Sequence, residues 1–144
     1  MKVSEPIIQI TQHYEQPIKS VWNALTDVHV MRQWFFDNIP EFEPTVGFKT
    51  RFSVTSEDRI FLHLWEITEV IPYHKIVLNW KYDGYQGDSF VTFELSKVDN
   101  HTQLTLITKV IEDFPDNIPE FKRESCIAGW NYFIKTSLMN YFKQ

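Results

Sequence analysis

The hydrophobic pattern of the chain changes period once, and this change limits the folds that the chain can adopt. Between residues 46 and 110, apolar and polar residues alternate in consecutive short runs, which is typical of antiparallel strands joined as hairpins. Between residues 118 and 142, apolar residues recur at helical spacing. A helix with one apolar face must cover that face with another element. The pattern therefore predicts an α+β fold, in which a curved antiparallel sheet wraps around a long C-terminal helix.

The first third of the chain predicts one strand and two short helices. Residues 6–14 alternate as a strand does, and Pro17 suits the first turn of a helix. Thr26-Asp27 is a cap-like break between two short apolar stripes at helical spacing. With 144 residues, the whole chain (1–144) is expected to be one domain.

Two positions in the predicted elements need a special explanation. Residues 60–71 carry apolar side chains on both faces of a strand, and a bulge near Trp65-Glu66 would reconcile the two patterns. Gly129 lies inside the predicted C-terminal helix, where glycine costs about 1 kcal/mol relative to alanine. Chance placement or a close approach of this helix to the sheet beside Trp130 would explain it.

Charge and composition exclude several functional classes. Asp and Glu outnumber Lys and Arg by 19 to 14, and no basic stripe of the kind that binds nucleic acid is present. The four glycines are too few to build a glycine-rich nucleotide cradle. The single cysteine, Cys126, has no disulfide partner, and no apolar run reaches membrane-spanning length. We expect a cytoplasmic protein that has no membrane span and binds no nucleic acid.

No catalytic or metal-binding motif is visible, so we expect no metal and no cofactor. The five histidines are scattered along the chain. His63 lies in an otherwise apolar strand, where it could act as an acid, a base or a hydrogen-bonding group for a ligand, or could simply be a hydrogen-bonded core residue. Cys126 is interpreted as an inert buried thiol. Whether the protein is an enzyme is left open, with a preference for a binding protein.

Aromatic side chains make up 16% of the residues, and those on inward faces converge on one interior. They could pack against one another as a solid core, or they could line a pocket of about 300–1,000 Å³ as ligand sites commonly do. The residues predicted to line such a pocket are Tyr14, Trp34, Phe35, Phe52, His63, Trp80, Tyr82, Phe93, Leu106, Trp130 and Phe133.

Five short motifs occur in order along nearly the whole chain. They are Pro17-x-x-x-Val21-Trp22-x-x-Leu25-Thr26-Asp27 followed by Trp34-Phe35, then Pro44-x-Val46-Gly47-x-x-x-x-Phe52, Glu69-Val70-x-Pro72-x-x-Lys75-Ile76-Val77-x-x-Trp80, Thr102-x-Leu104-Thr105-Leu106, and Gly129-Trp130. Together they resemble the activator-of-heat-shock-protein-ninety-ATPase homologues, which belong to the START-like, birch-pollen-allergen-like (SRPBCC) superfamily.

The resemblance implies a helix-grip fold with an internal cavity, and a cavity that binds a small hydrophobic or aromatic ligand of lipid, sterol or polyketide type. Trp65 departs from the family pattern, which often has glycine there, so its ring would fill part of the cavity. The alternatives are a chaperone-associated interaction module linked to the stress response, with surfaces at Asp83–Asp88 and Glu112–Glu120, or an enzyme acting on a cyclic or polyketide substrate. We expect a monomer or a weak homodimer.

Overall fold

Six antiparallel strands form one sheet in the computed structural model, which describes residues 1–144. The strands are β1 (Ile8–Tyr14), β2 (Lys49–Ser56), β3 (Arg59–Ile71), β4 (Lys75–Tyr82), β5 (Asp88–Val98) and β6 (His101–Glu112). Their order is β1-β6-β5-β4-β3-β2, so β2 to β6 form a continuous meander and β1 closes onto β6. The ambiguous run at residues 60–71 is the longest strand of the sheet.

Two short helices connect β1 to β2, as the sequence predicts. They are α1 (Ile18–Thr26) and α2 (Val28–Trp34). Asp27 separates them, and its carboxylate accepts a hydrogen bond of 2.9 Å from the backbone N–H of His29. This is an N-cap, a position at which aspartate is preferred because its carboxylate bonds a backbone N–H that has no partner within the helix.

The C-terminal helix begins later than the sequence pattern predicts, and it is not uniform. A 3₁₀ turn at Pro119–Phe121 comes first. Lys122 then has an extended backbone, which separates this turn from α3 (Arg123–Asn131). The helix then widens to a π turn over Tyr132–Ser137 and returns to α geometry in α4 (Leu138–Phe142).

A bulge in β3 lies close to its predicted position. The pairing register with β4 shifts between Ile67 and Glu69, a few residues after the predicted Trp65-Glu66. Up to Ile67, alternate residues from Phe61 onward are buried, whereas beyond the shift Glu69 is exposed and Val70 packs against the core. One extra residue inverts which side chains face the interior, since successive side chains in a strand point to opposite faces.

The interior lies between the concave face of the sheet and the helices. One large core cluster of 26 buried residues is accompanied by a small cluster of Phe61, Phe114 and Phe121. No helix in the structure is both long enough and apolar enough to cross a bilayer. This arrangement confirms the expected helix-grip architecture.

Candidate functional site

One part of the interior is packed ring against ring around Phe35. Its ring lies parallel to Trp34, with centroids 4.7 Å apart, and it stacks on Trp65 at 5.5 Å. Seven aromatic rings in all have centroids within 6.4 Å of the Phe35 ring. We call these rings and Phe35 the aromatic cluster. They are Trp34, Phe35, Phe36, Trp65, Trp80, Phe93, Trp130 and Phe133.

Beside the aromatic cluster the interior is hollow. A cavity of about 140 Å³ lies between the sheet and the C-terminal helix. We call it the inner cavity. It is lined by Met1, Phe36, His63, Trp80, Tyr82, Ser89, Val91, Thr108, Phe114, Glu120, Cys126, Gly129, Trp130 and Phe133.

The inner cavity adjoins a larger groove on the protein surface. This outer groove has a volume of about 730 Å³ and shares part of its lining with the inner cavity. The shared residues are Phe36, His63, Tyr82, Glu120 and Gly129. They therefore mark the passage between the solvent and the interior.

An ion pair ties the two sides of the outer groove together. The Arg59 guanidinium at the start of β3 donates to both carboxylate oxygens of Glu120, at 2.8 and 2.9 Å, and the Ser56 hydroxyl donates to the same carboxylate at 2.7 Å. These hydrogen bonds lower the pKa of Glu120 to about 2, with Arg59 as the largest cause. The tip of the β2–β3 hairpin is thus fastened to the 3₁₀ turn that precedes α3.

His63 presents a hydrogen-bond acceptor to the inner cavity. Its side chain is 5% exposed, and Nδ1 lies 3.1 Å from the backbone oxygen of Phe61. A carbonyl oxygen can only accept, so Nδ1 carries the proton and Nε2 keeps its lone pair. Burial lowers the pKa of His63 to about 4, so the ring is neutral at physiological pH. A neutral imidazole in this tautomer can accept a hydrogen bond from a ligand.

Tyr82 contributes a donor to the same cavity. Its hydroxyl oxygen accepts a hydrogen bond of 2.9 Å from the indole N–H of Trp80, which leaves the phenolic proton available. Burial raises the pKa of Tyr82, so it retains this proton at physiological pH. Ser89 differs, because its hydroxyl proton already donates to the backbone oxygen of Trp80 at 2.7 Å.

Thr108 also belongs to the lining of the cavity. It is 3% exposed, and its Oγ1 has no hydrogen-bond partner. Cys126 also borders the cavity, and burial raises the pKa of its thiol to about 11, so the group is neutral. The lining therefore combines apolar walls with neutral donors and acceptors and two charged groups. The Glu120 carboxylate is paired with Arg59, and the Met1 α-ammonium donates to the backbone oxygen of Phe121.

Gly129 marks an opening in the helix surface. A Cβ atom at this position would have no neighbour within 4 Å, so the predicted close approach of the helix to the sheet is wrong. The residue borders both the inner cavity and the outer groove. The absence of a side chain leaves free space between them.

The structure separates the predicted pocket residues into two groups. The five that line the inner cavity are His63, Trp80, Tyr82, Trp130 and Phe133. The six that do not line it are all buried in the core cluster: Tyr14, Trp34, Phe35, Phe52, Phe93 and Leu106. Tyr14, for example, donates its hydroxyl to the backbone oxygen of Ile134 in the π turn.

Several lining residues were not predicted from the sequence, and the cavity is smaller than the expected 300–1,000 Å³. Thr108 and Ser89 occupy inward positions of their strands, so a hydroxyl on an inward face was the signal available in the sequence. Phe114 lies outside any predicted element, and it reaches the site because its ring covers the bare Cα of Gly87. That contact depends on loop conformation, for which the sequence has no periodic signal.

The two surfaces considered for a chaperone partner each make hydrogen bonds or an ion pair within the chain. Glu112 accepts a hydrogen bond from the backbone N–H of Gly87 at 3.1 Å, which joins the Asp83–Asp88 loop to the Glu112–Glu120 segment. In the latter segment, Asp113 accepts from the backbone N–H of Val3 and Asp116 pairs with Lys2. These carboxylates stabilise the rim around the first residues of the chain.

The chain resembles one family in sequence and many proteins in structure. The profile of a family described as "Activator of Hsp90 ATPase homolog 1-like protein" matches residues 15–143. No curated protein matches the chain.

Three solved structures illustrate the structural likeness. DynU16, a protein in the dynemicin biosynthetic locus, is 23% identical with a TM-score of 0.76; the match covers 97% of this chain and 48% of that one, so this chain spans about half its length. Protein CV1439 from Chromobacterium violaceum is 20% identical with a TM-score of 0.79, over 96% and 97% of the two chains. The Aha1 dimer from Colwellia psychrerythraea is 17% identical with a TM-score of 0.72, over 92% of each chain.

Proposed function

The chain belongs to the Activator of Hsp90 ATPase homolog 1-like family, and from this premise we propose that it binds a small hydrophobic or aromatic ligand in the inner cavity. The observation that supports this proposal is the hollow beside the aromatic cluster. Protein interiors are packed to the density of organic crystals, with few voids larger than a water molecule. A cavity of about 140 Å³ is far above that size and has a passage to the surface.

The volume limits how much of a ligand can be enclosed. An engineered protein cavity of about 150 Å³ with apolar walls binds benzene, so the inner cavity is suited to a single ring. A lipid, sterol or polyketide-like compound would place one ring or a chain end in the inner cavity and the rest in the outer groove. Burial of the enclosed ring against aromatic and aliphatic walls would provide most of the affinity.

A leucine at position 129 tests this proposal by filling the space at the passage. Because a Cβ there meets no atom within 4 Å, Gly129→Leu extends a side chain into the free space instead of into a packed wall. Ala128→Leu is the matched control, since Ala128 is the exposed neighbour on the same helix. Toluene and indole serve as probes, and binding is measured by thermal shift and by protein NMR titration.

We expect both probes to raise the melting temperature of the native protein and of A128L, and to bind G129L at least about tenfold more weakly. A measurement on the native protein that needs no variant is xenon binding, followed by NMR under pressure. If xenon, toluene and indole all leave the resonances of Trp80 and Trp130 unchanged, the proposal is wrong. Equal affinity of the probes for G129L and A128L would likewise contradict binding at this site.

A further inference from the structure

One nitrogen of the buried His63 ring makes no hydrogen bond within the chain. Nδ1 donates to the backbone oxygen of Phe61, whereas Nε2 has no partner. The side-chain polar atoms that are both fully enclosed and without a partner are Trp65 Nε1 and Thr108 Oγ1, so Nε2 of His63 is not fully enclosed. Nε2 is therefore a free and accessible acceptor on a side chain that is only 5% exposed.

The accessible nitrogen belongs to a residue at the passage. His63 borders both the inner cavity and the outer groove. Its position follows from β3, in which alternate side chains from Phe61 to Ile67 face the interior. A ligand that places one ring in the inner cavity and extends into the outer groove therefore passes beside the imidazole.

Neighbouring rings hold the imidazole of His63 in one orientation. Phe52 stacks on it with centroids 5.0 Å apart and an angle of 19° between the planes. Tyr82 and Phe36 meet it edge to face, with centroids at 4.7 and 5.1 Å. The hydrogen bond from Nδ1 to Phe61 fixes the tautomer. An acceptor that is already positioned loses little conformational entropy when a ligand binds.

We infer that the ligand carries a hydrogen-bond donor on its ring, an N–H or an O–H, and donates it to Nε2 of His63. A neutral imidazole nitrogen accepts such a bond. A hydrocarbon ring in the same place would cover Nε2 and leave it without a hydrogen bond, which is unfavourable. This inference rests on the proposed function, because it concerns the same site. It goes further in naming the class of ligand and the residue that recognises it.

Indole and indene test this inference, because they have the same fused rings and number of non-hydrogen atoms but indene has no N–H. Dissociation constants are measured by NMR titration at pH 7 for the native protein and for His63→Phe, which keeps a ring but removes the acceptor. We expect the ratio of the indene constant to the indole constant to fall about fivefold in H63F. His74→Phe, at an exposed histidine in the turn between β3 and β4, is the matched control and should leave this ratio unchanged.

A spectroscopic measurement on the native protein needs no variant. Nitrogen-15 spectra of the His63 ring should show a protonated Nδ1 and an unprotonated Nε2. The Nε2 resonance should move upfield when indole binds, because accepting a hydrogen bond shields this type of nitrogen, and indene should move it much less. If indole and indene shift the resonance equally, the inference is wrong, whether or not H63F folds.

The outcomes separate this inference from the proposed function. If both compounds bind the native protein but the ratio of their constants is the same in H63F, only the inference about His63 fails. Loss of both compounds to an equal extent in H63F has the same meaning, because the imidazole then contributes shape and not an acceptor. If neither compound binds the native protein, the proposed function fails as well.

Discussion

Both ends of the interior lie between the sheet and the helices, but they differ in packing density. Around Phe35, large rings from the helices meet large rings from the sheet. At the inner cavity, the C-terminal helix presents Gly129 and Cys126, and the facing strands present Ser89 and Thr108. Where small residues from two layers face each other, the backbone spacing set by the rings elsewhere leaves a void. Aromatic content alone therefore does not decide whether such a core is solid.

The largest expected effect contrasts two consecutive phenylalanines. Phe35→Ala should cost about 3–5 kcal/mol of unfolding free energy, because rings surround this side chain and the core cannot collapse into the space. Phe36→Ala should cost at least about 1 kcal/mol less, since Phe36 borders the inner cavity and the outer groove and is only partly buried. Urea denaturation of both variants measures the difference. Equal losses would mean that the two ends are equally well packed.

A somewhat smaller effect concerns pH and the hollow end. The pKa of His63 falls from 6.5 when unfolded to about 4 when folded, so the unfolded chain binds more protons between these values. Stability should therefore rise with pH across this window, by up to about 3 kcal/mol from this residue. The pKa values of Tyr82, Cys126 and Glu120, which also line the cavity, lie outside this window. The rise of unfolding free energy with pH should be less steep in His63→Gln. If it is equally steep, groups other than His63 cause it.

The smallest effects concern two threonines of β6, whose substitution should change the free energy of unfolding in opposite directions. Thr102→Val should destabilise the protein by about 1–3 kcal/mol, because the backbone oxygen of Gln16 loses its donor. Thr108→Val should stabilise it by up to about 1 kcal/mol, because it replaces an unpaired buried hydroxyl with a methyl group of similar shape. Thermal and urea unfolding of the two variants gives both values. Destabilisation by T108V comparable to that by T102V would show that the Thr108 hydroxyl is already bonded.

The fold could be predicted because the periodic signals agree with one another over most of the chain. The alternation of apolar and polar residues predicted the strands, and the cap-like Asp27 predicted the boundary between α1 and α2. The bulge in β3 was predicted near Trp65-Glu66 because apolar residues occur on both faces of the strand, and it lies a few residues later, between Ile67 and Glu69. Family resemblance was confirmed over residues 15–143.

The candidate site was less predictable, for a physical reason. Periodicity indicates that a side chain points inward, but it does not indicate what the side chain meets there. Phe35 and Trp80 have the same inward signal, yet Phe35 is enclosed by rings and Trp80 lies at the boundary of a void. A cavity forms where atoms are missing, so small residues such as Gly129 and Thr108 indicate its position better than any aromatic ring does.

The π turn over Tyr132–Ser137 changes the directions in which the side chains after it point relative to those before it. In a regular α-helix, Trp130 and Leu138 would point in directions about 80° apart, because eight residues exceed two turns of 3.6. A π turn contains more residues per turn, which reduces this angle, and both side chains are buried, as is Ile134 between them. Removing one residue from the turn would rotate α4 by about 100° relative to α3 and would expose Leu138. An alignment with a relative whose helix is regular would therefore need a one-residue gap inside this turn.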